Sequence, residues 1–269
     1  MSAIDASASS NGRGSDAWWR SWTHFSIDRR SPGYCRVTFD HPPSNAITAT
    51  TVAELAELVG LIEEDQDLIV VVFDSANPDF YMAHYDPQHD PRRAAALPAG
   101  PTGMHTWLDL LVRLSRAPVV SIASIRGRAR GGGSEFVLAC DLRFASRENT
   151  RLGQFEVVTG EVPGASPIER LSHLVGRARA LDILLVADDV DGPRAQQYGY
   201  VNRVIADDQL DDEVDQIASR LARADHDAIA RTKSYVERAT LPPDGELPSA
   251  LADLFEQLGQ PGQQPRPDP

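Results

Sequence analysis

One uninterrupted apolar run, residues 68–73 (LIVVVF), and a second apolar stretch broken only by two serines, residues 118–125 (PVVSIASI), set the tightest limit on how this chain can fold. A β-branched run without polar alternation is the mark of a strand buried on both faces, and such strands belong to parallel sheets covered by helices. Helical patterns stand between them. After Thr48, Val52, Leu55, Leu58, Val59 and Ile62 recur at helical spacing, with Thr48 and Thr50 as candidate N-caps. Residues 104–116 read as a second helix, and a third is expected from near Gly133 to Cys140. Residues 34–39 alternate as a strand that stops at the turn Asp40-His41-Pro42-Pro43, and residues 141–145 read as a further strand. Strands alternating with helices imply crossover connections and a largely parallel sheet. From Ile168 onward the signal turns helical, over 177–185, 193–198, 210–223 and 229–239. The expected layout is a loose leader over 1–20, an α/β core over 21–205, a helical C-terminal region over 206–258 and a loose Pro/Gln-rich tail over 259–269.

Composition removes several function classes. A net charge of -13 makes nucleic acid a poor partner, although Arg126, Arg128 and Arg130 form a local basic stripe. On one strand face these arginines would suit phosphates or a partner's acids; ion pairs with the chain's own carboxylates are the plainer reading. No apolar run nears the roughly 18 residues that span a bilayer, and the first residues carry no signal-peptide core, so no membrane partner is expected. Two separated cysteines, Cys35 and Cys140, give no disulfide framework and fit a reducing cytoplasm. No repeat of 20–50 residues is apparent, which leaves out solenoids and propellers.

The element that carries chemistry is strand, glycine turn, helix: Gly127, then Gly131-Gly132-Gly133-Ser134-Glu135. Glycines at a helix N-terminus leave amides open to a negative charge, whether a phosphate or an oxyanion formed during reaction. A phosphate loop would follow the last glycine with Lys and Ser or Thr. Here a carboxylate follows, which favours the oxyanion, where a preorganised donor is worth roughly 3–4 kcal/mol. Tight helix–strand packing is the plainer use of the same glycines. Ser134 lacks the G-x-S-x-G context of a serine nucleophile. The cluster His84-Tyr85-Asp86-Pro87-Gln88-His89-Asp90 has spacing compatible with a zinc or iron site, but Pro87 breaks the helix that would align it, and no metal is expected.

Residues 118–146, with the glycine run, Glu135 and the downstream Ala139-Cys140-Asp141, resemble the central signature of the crotonase (enoyl-CoA hydratase/isomerase) superfamily. The likeness continues in order. Pro43-Ser44-Asn45-Ala46-Ile47 resembles the family's early turn, Leu152-Gly153-Gln154-Phe155-Glu156 its second acidic motif, and Val162-Pro163-Gly164-Ala165 the turn behind it. Matches through Arg170-Leu171 and Gly199-Tyr200-Val201-Asn202-Arg203-Val204 extend it over roughly residues 33–240.

The resemblance implies a repeated ββα spiral core with a helical C-terminal region. It also implies an acyl-CoA thioester as substrate, no cofactor beyond that coenzyme A, and a homotrimer or hexamer. It places the oxyanion donors at the backbone N–H groups of His84 and Gly132 and the catalytic carboxylates at Glu135 and Glu156. Asn45, Ala46, Ile47, Met82, Tyr85, Asp86, Gly131 and Gly164 fall on substrate-binding segments. Two carboxylates beside an oxyanion hole suit hydration of a 2-enoyl-CoA, with Glu156 protonating Cα and Glu135 holding water. A Δ3–Δ2 isomerase, an acyl-CoA hydrolase or lyase, and a non-catalytic acyl-CoA-binding protein are the alternatives. The chain departs from the family wording at Met82-Ala83-His84-Tyr85-Asp86, at Phe155 in place of Pro, and at Ser166-Pro167 in place of two glycines. These departures reshape the pocket and bear on the substrate.

Overall fold

The computed structural model describes residues 18–85 and 96–258. Its strands are β1 (Phe25–Ser31), β2 (Tyr34–Phe39), β3 (Val70–Ser75), β4 (Phe80–Met82), β5 (Val120–Ile125), β6 (Arg128–Arg130), β7 (Leu142–Ser146), β8 (Arg151–Gly153), β9 (Val190–Asp191) and β10 (Arg203–Ile205). Its helices are α1 (Ala49–Glu64), α2 (Thr106–Arg116), α3 (Gly132–Ala139), α4 (Glu156–Thr159), α5 (Pro167–Val175), α6 (Arg177–Leu181), α7 (Gly192–Tyr198), α8 (Leu210–Leu221), α9 (His226–Thr240) and α10 (Pro248–Leu258).

Two sheets organise them. One runs β1-β2-β3-β5-β7-β10 and the other β4-β6-β8-β9. The chain visits the sheets in turn: β3 then β4, β5 then β6, β7 then β8, with α2, α3 and α4 leaving after each pair. This is the repeated ββα spiral that the sequence resemblance implies. The β2–β3, β3–β5 and β5–β7 pairs are parallel, as expected from the apolar stretches at 68–73 and 118–125, while β1 pairs antiparallel with β2.

Burial explains why residues 68–73 carry no polar alternation. Val71 and Phe73 face the larger core with α1, α2 and α3, whereas Val70 and Val72 face a second cluster with Leu210, Val214 and Ile217 of α8. Each such side chain contributes about 1.5–3 kcal/mol on burial, so a polar residue on either face would be selected against. Helix α1 begins where expected, at Thr48, which forms a capping box with Thr51; Thr50 lies inside the helix. The second helix starts two residues later than its apolar pattern suggested, because the His105 side chain caps it by accepting the Trp107 N–H.

Several expectations need correction. The C-terminal third is not wholly helical: β9 and β10 join the two sheets there, too short to register as alternation. The segment read as a helix over 177–185 is α6 followed by a π-helical turn, Asp182–Val186. Strands β1, β4, β6 and β8 were not expected. Residues 18–20 of the expected leader are described, and Trp18 is buried in the larger core; the rest of that leader and the tail over 259–269 lie outside the described residues.

Candidate active site

Backbone contacts build the site before any side chain enters it. Gly131 precedes α3 with a φ of 48°, a conformation glycine adopts without penalty. Its N–H donates to Gly153 O at 3.0 Å, which ties the start of α3 to β8, the strand leading to Glu156. A β-carbon on Gly133 would lie 2.0 Å from Met82 O, so α3 rests directly on the backbone of β4 and Gly133 is required there. Arg130 N–H donates to Ala83 O at 3.0 Å, Ala83 N–H to Asn45 O at 3.1 Å, and Ile47 N–H to His84 O at 2.8 Å. These bonds join residues 45–47, 82–84 and 130–133 into one unit and bring His84 and Gly132, distant in sequence, onto it. Gly132 is the first residue of α3, so its N–H has no acceptor within the helix and sits where the helix dipole favours negative charge.

Two carboxylates flank this helix start. Glu156 Oε1 lies 3.2 Å from the point where a β-carbon on Gly131 would stand, and Glu135 Oε2 lies 3.9 Å from the equivalent point on Gly132. Glu135, one turn into α3, is 5% exposed. Its Oε2 accepts Trp107 Nε1–H at 2.7 Å and its Oε1 accepts the Ala165 N–H at 2.8 Å. Burial raises its pKa, while the bonds from Trp107 and Ala165 oppose that rise. Glu156 is pushed up to about 8, first by burial and then by the charge of Glu135. Glu156 is therefore largely protonated at neutral pH, the state of a proton donor.

A buried polar chain reaches Glu156 from the other side. With the Gln154 carboxamide turned so that its nitrogen faces Glu156, that nitrogen donates to Oε1 at 2.8 Å and Oε2 at 3.0 Å. The Gln154 oxygen then accepts Ser134 Oγ–H at 3.0 Å, and Ser134 also bonds the Tyr200 hydroxyl. Burial raises the Tyr200 pKa well above the usual phenol range, so its hydroxyl keeps its proton.

The remaining candidates take distinct positions. Asn45 is fully buried at φ 52°; its Nδ2 donates to Ser75 Oγ at 2.7 Å and its Oδ1 accepts His41 N–H at 2.7 Å, so the side chain braces its own turn. Ala46 and Ile47 are buried beside it, and Ile47 Cδ1 comes within 3.0 Å of the β-carbon point on Gly132. Tyr85 forms a parallel bridge with Ile47. Gly164 packs beneath α10, where a β-carbon would lie 2.7 Å from Leu254 Cδ2. Asp86 lies outside the described residues, as does most of the His84–Asp90 cluster; among the described residues no group of three acidic, His or Cys side chains is placed to hold a metal.

The arginine stripe divides. Arg126 pairs with Asp207 at 2.9 Å, and Arg130 grips Asp189 through Nε at 3.0 Å and Nη2 at 2.6 Å. Arg128 is exposed, with its guanidinium 5.5 Å from the Phe80 ring centroid. Trp107, Gln154 and the Ser134–Tyr200 pair were not singled out from sequence. Trp107 reads as an ordinary core residue of an amphipathic helix. Gln154 carried a usable signal, since residues two apart in extended chain share a face and Glu156 is two residues on.

Comparison with known proteins agrees with this architecture. Residues 29–263 match the family model for enoyl-CoA hydratase/isomerase. The chain is 30% identical over 227 residues to a short-chain-enoyl-CoA hydratase of Clostridium acetobutylicum, covering 83% of this chain and 84% of that protein. It is 29% identical over 213 residues to a crotonyl-CoA hydratase of Syntrophomonas wolfei, covering 78% and 80%. A solved structure from Streptomyces avermitilis, assigned as an enoyl-CoA hydratase, superposes with a TM-score of 0.84 at 40% identity, covering 91% of this chain and 87% of that one. Fold, sequence and spiral topology together make this chain an enzyme of the enoyl-CoA hydratase/isomerase family, within the crotonase superfamily.

Proposed function

We propose that the enzyme is a hydro-lyase that adds water to a 2-enoyl-CoA thioester. The observation that carries this reading is the pair Glu135 and Glu156 at adjacent glycines of one helix start. In the reaction, the thioester carbonyl oxygen takes up negative charge and accepts the N–H groups of Gly132 and His84. Glu135, as carboxylate, accepts a proton from water while the water oxygen bonds to Cβ. Glu156, protonated, delivers a proton to Cα of the resulting enolate, giving a 3-hydroxyacyl-CoA. Solvent exchange returns the proton from Glu135 to Glu156. The relatives described as short-chain-enoyl-CoA and crotonyl-CoA hydratases support this reaction class.

The segments around Asn45, Ala46, Ile47, Met82, Tyr85 and Asp86, with Gly131 and Gly164, are proposed to line the acyl-CoA path, and no cofactor beyond the substrate's own coenzyme A is required. Self-association as a homotrimer or hexamer in the cytoplasm is proposed alongside. Leu185 and Val186, 60% and 57% exposed on the π-helical turn, offer apolar surface for it. No helix among the described residues is long and apolar enough to cross a membrane. Light scattering during size exclusion reads the assembly.

Turnover with crotonyl-CoA and with longer and aromatic enoyl-CoAs tests the chemistry. Wild type hydrates at least one of them, and Glu135→Ala and Glu156→Ala each lose at least about a hundredfold in kcat. Binding of acyl-CoA without turnover of any substrate would instead mark a non-catalytic binding protein. Isomerisation of a 3-enoyl-CoA that survives Glu135→Ala would assign the site to a single-base isomerase.

A further inference from the structure

We infer that Trp107 is a positioning residue that holds Glu135 as an oriented carboxylate; this rests on the hydratase reading given above. The indole is a donor and nothing else, so its N–H can bond only a group with a free lone pair. It lies 2.7 Å from Glu135 Oε2, while the Ala165 N–H occupies Oε1 at 2.8 Å. These two bonds, with a further backbone hydrogen bond from Gly164, give both oxygens fixed donors, set the plane of the carboxylate and leave lone-pair capacity for water. The same ring places Cζ2 3.6 Å from the β-carbon point on Gly132, so one side chain touches both the base and the helix start.

Trp107 is itself held. Its backbone N–H donates to His105 Nδ1 at 3.3 Å, at the cap of α2. One turn on, Asp109 accepts Thr102 N–H at 2.9 Å and Thr102 Oγ1–H at 2.7 Å, which binds the preceding loop to α2. Glu156 meets the Gln154 amide and the backbone N–H groups of Phe155 and of its own residue, and it also faces the charge of Glu135. The two carboxyls are thereby separated in role, Glu135 as base and Glu156 as acid.

Trp107→Phe keeps the ring and removes the N–H. The Glu135 carboxyl, followed by carbon-13 NMR of labelled Glu with Glu135→Gln to assign its signal, should titrate about one unit higher in Trp107→Phe, the size of one charge-assisted hydrogen bond. With crotonyl-CoA, kcat should fall about tenfold or more with KM within about twofold, and the acid limb of the pH profile should move up with the NMR value. An unmoved Glu135 titration, or a loss confined to KM, overturns the role of Trp107. A moved titration in an enzyme that hydrates none of the enoyl-CoAs leaves the Trp107 bond standing and removes the hydratase reading instead. Trp107→Leu, which loses both ring and donor, separates packing from hydrogen bonding: thermal stability should drop further than in Trp107→Phe while the titration shift stays the same.

Discussion

Glu156 and Gly131 meet so closely that a single methyl group would come between them: a β-carbon on Gly131 would stand 3.2 Å from Glu156 Oε1. The glycine therefore does two things, taking a φ of 48° and leaving room for the acid. Gly131→Ala should cost about 1–3 kcal/mol through backbone strain. It should also displace the Glu156 carboxyl, so kcat falls more than stability alone accounts for. Urea unfolding and crotonyl-CoA kinetics on the same sample check both; wild-type kcat in the folded variant would count against the close approach.

Protonated Glu156 gives a pH dependence with a definite sign. Its carboxyl titrates at about 8 in the folded chain, above the usual value of 4.5. Between about 4.5 and 8 the unfolded chain has lost this proton and the folded chain has kept it, so this group lowers stability as pH rises through that window. Glu156→Gln should remove the slope and become more stable than wild type, relative to their difference at pH 4, by up to a few kcal/mol at pH 8. In the proposed hydration Glu156 acts in its acid form, so wild-type kcat should decline as pH passes about 8. A flat profile from pH 6 to 9.5 would contradict it.

The buried chain from Tyr200 through Ser134 to Gln154 should behave as one unit. Ser134→Ala strands the Tyr200 hydroxyl in a site with no exposure and should cost about 1–3 kcal/mol. Adding Tyr200→Phe removes the stranded group, so the double variant should recover part of that loss. A double-mutant cycle by chemical denaturation should give a coupling of at least about 0.5 kcal/mol. Strict additivity would mean the two hydroxyls are independent.

Arg126 is already committed to Asp207 and Asp211, at 2.9 Å and 3.4 Å. Arg126→Ala should leave KM for crotonyl-CoA within about twofold and lower stability by about 1 kcal/mol or less, as for partly exposed pairs. A tenfold rise in KM would show that this arginine reaches the coenzyme A phosphates instead.

What the amino-acid order determined alone was whatever depends on near neighbours and on recurring pattern. The unbroken run at 68–73 required a strand covered on both faces, and Val70 and Val72 indeed face α8 while Val71 and Phe73 face the larger core. Thr48 and its spacing to Thr51 determined where α1 begins. Gly131-Gly132-Gly133 followed by Glu135 marked where a helix begins, and ordered motifs identified the family. Short strands escaped because three residues, as in β4, β6 and β8, hold too few alternations to stand out.

Tertiary structure decided what depends on contacts between distant segments. Trp107 lies 28 residues from Glu135 in the chain, and its indole N–H has no signature distinguishing a core ring from a donor to a carboxylate. The protonation of Glu156 is likewise written nowhere in its neighbours: it arises from burial and from the Glu135 charge, which only the spiral brings alongside. Glu135 behind three glycines was legible as chemistry from sequence, but which of the two glutamates holds the proton is a property of the folded electrostatics.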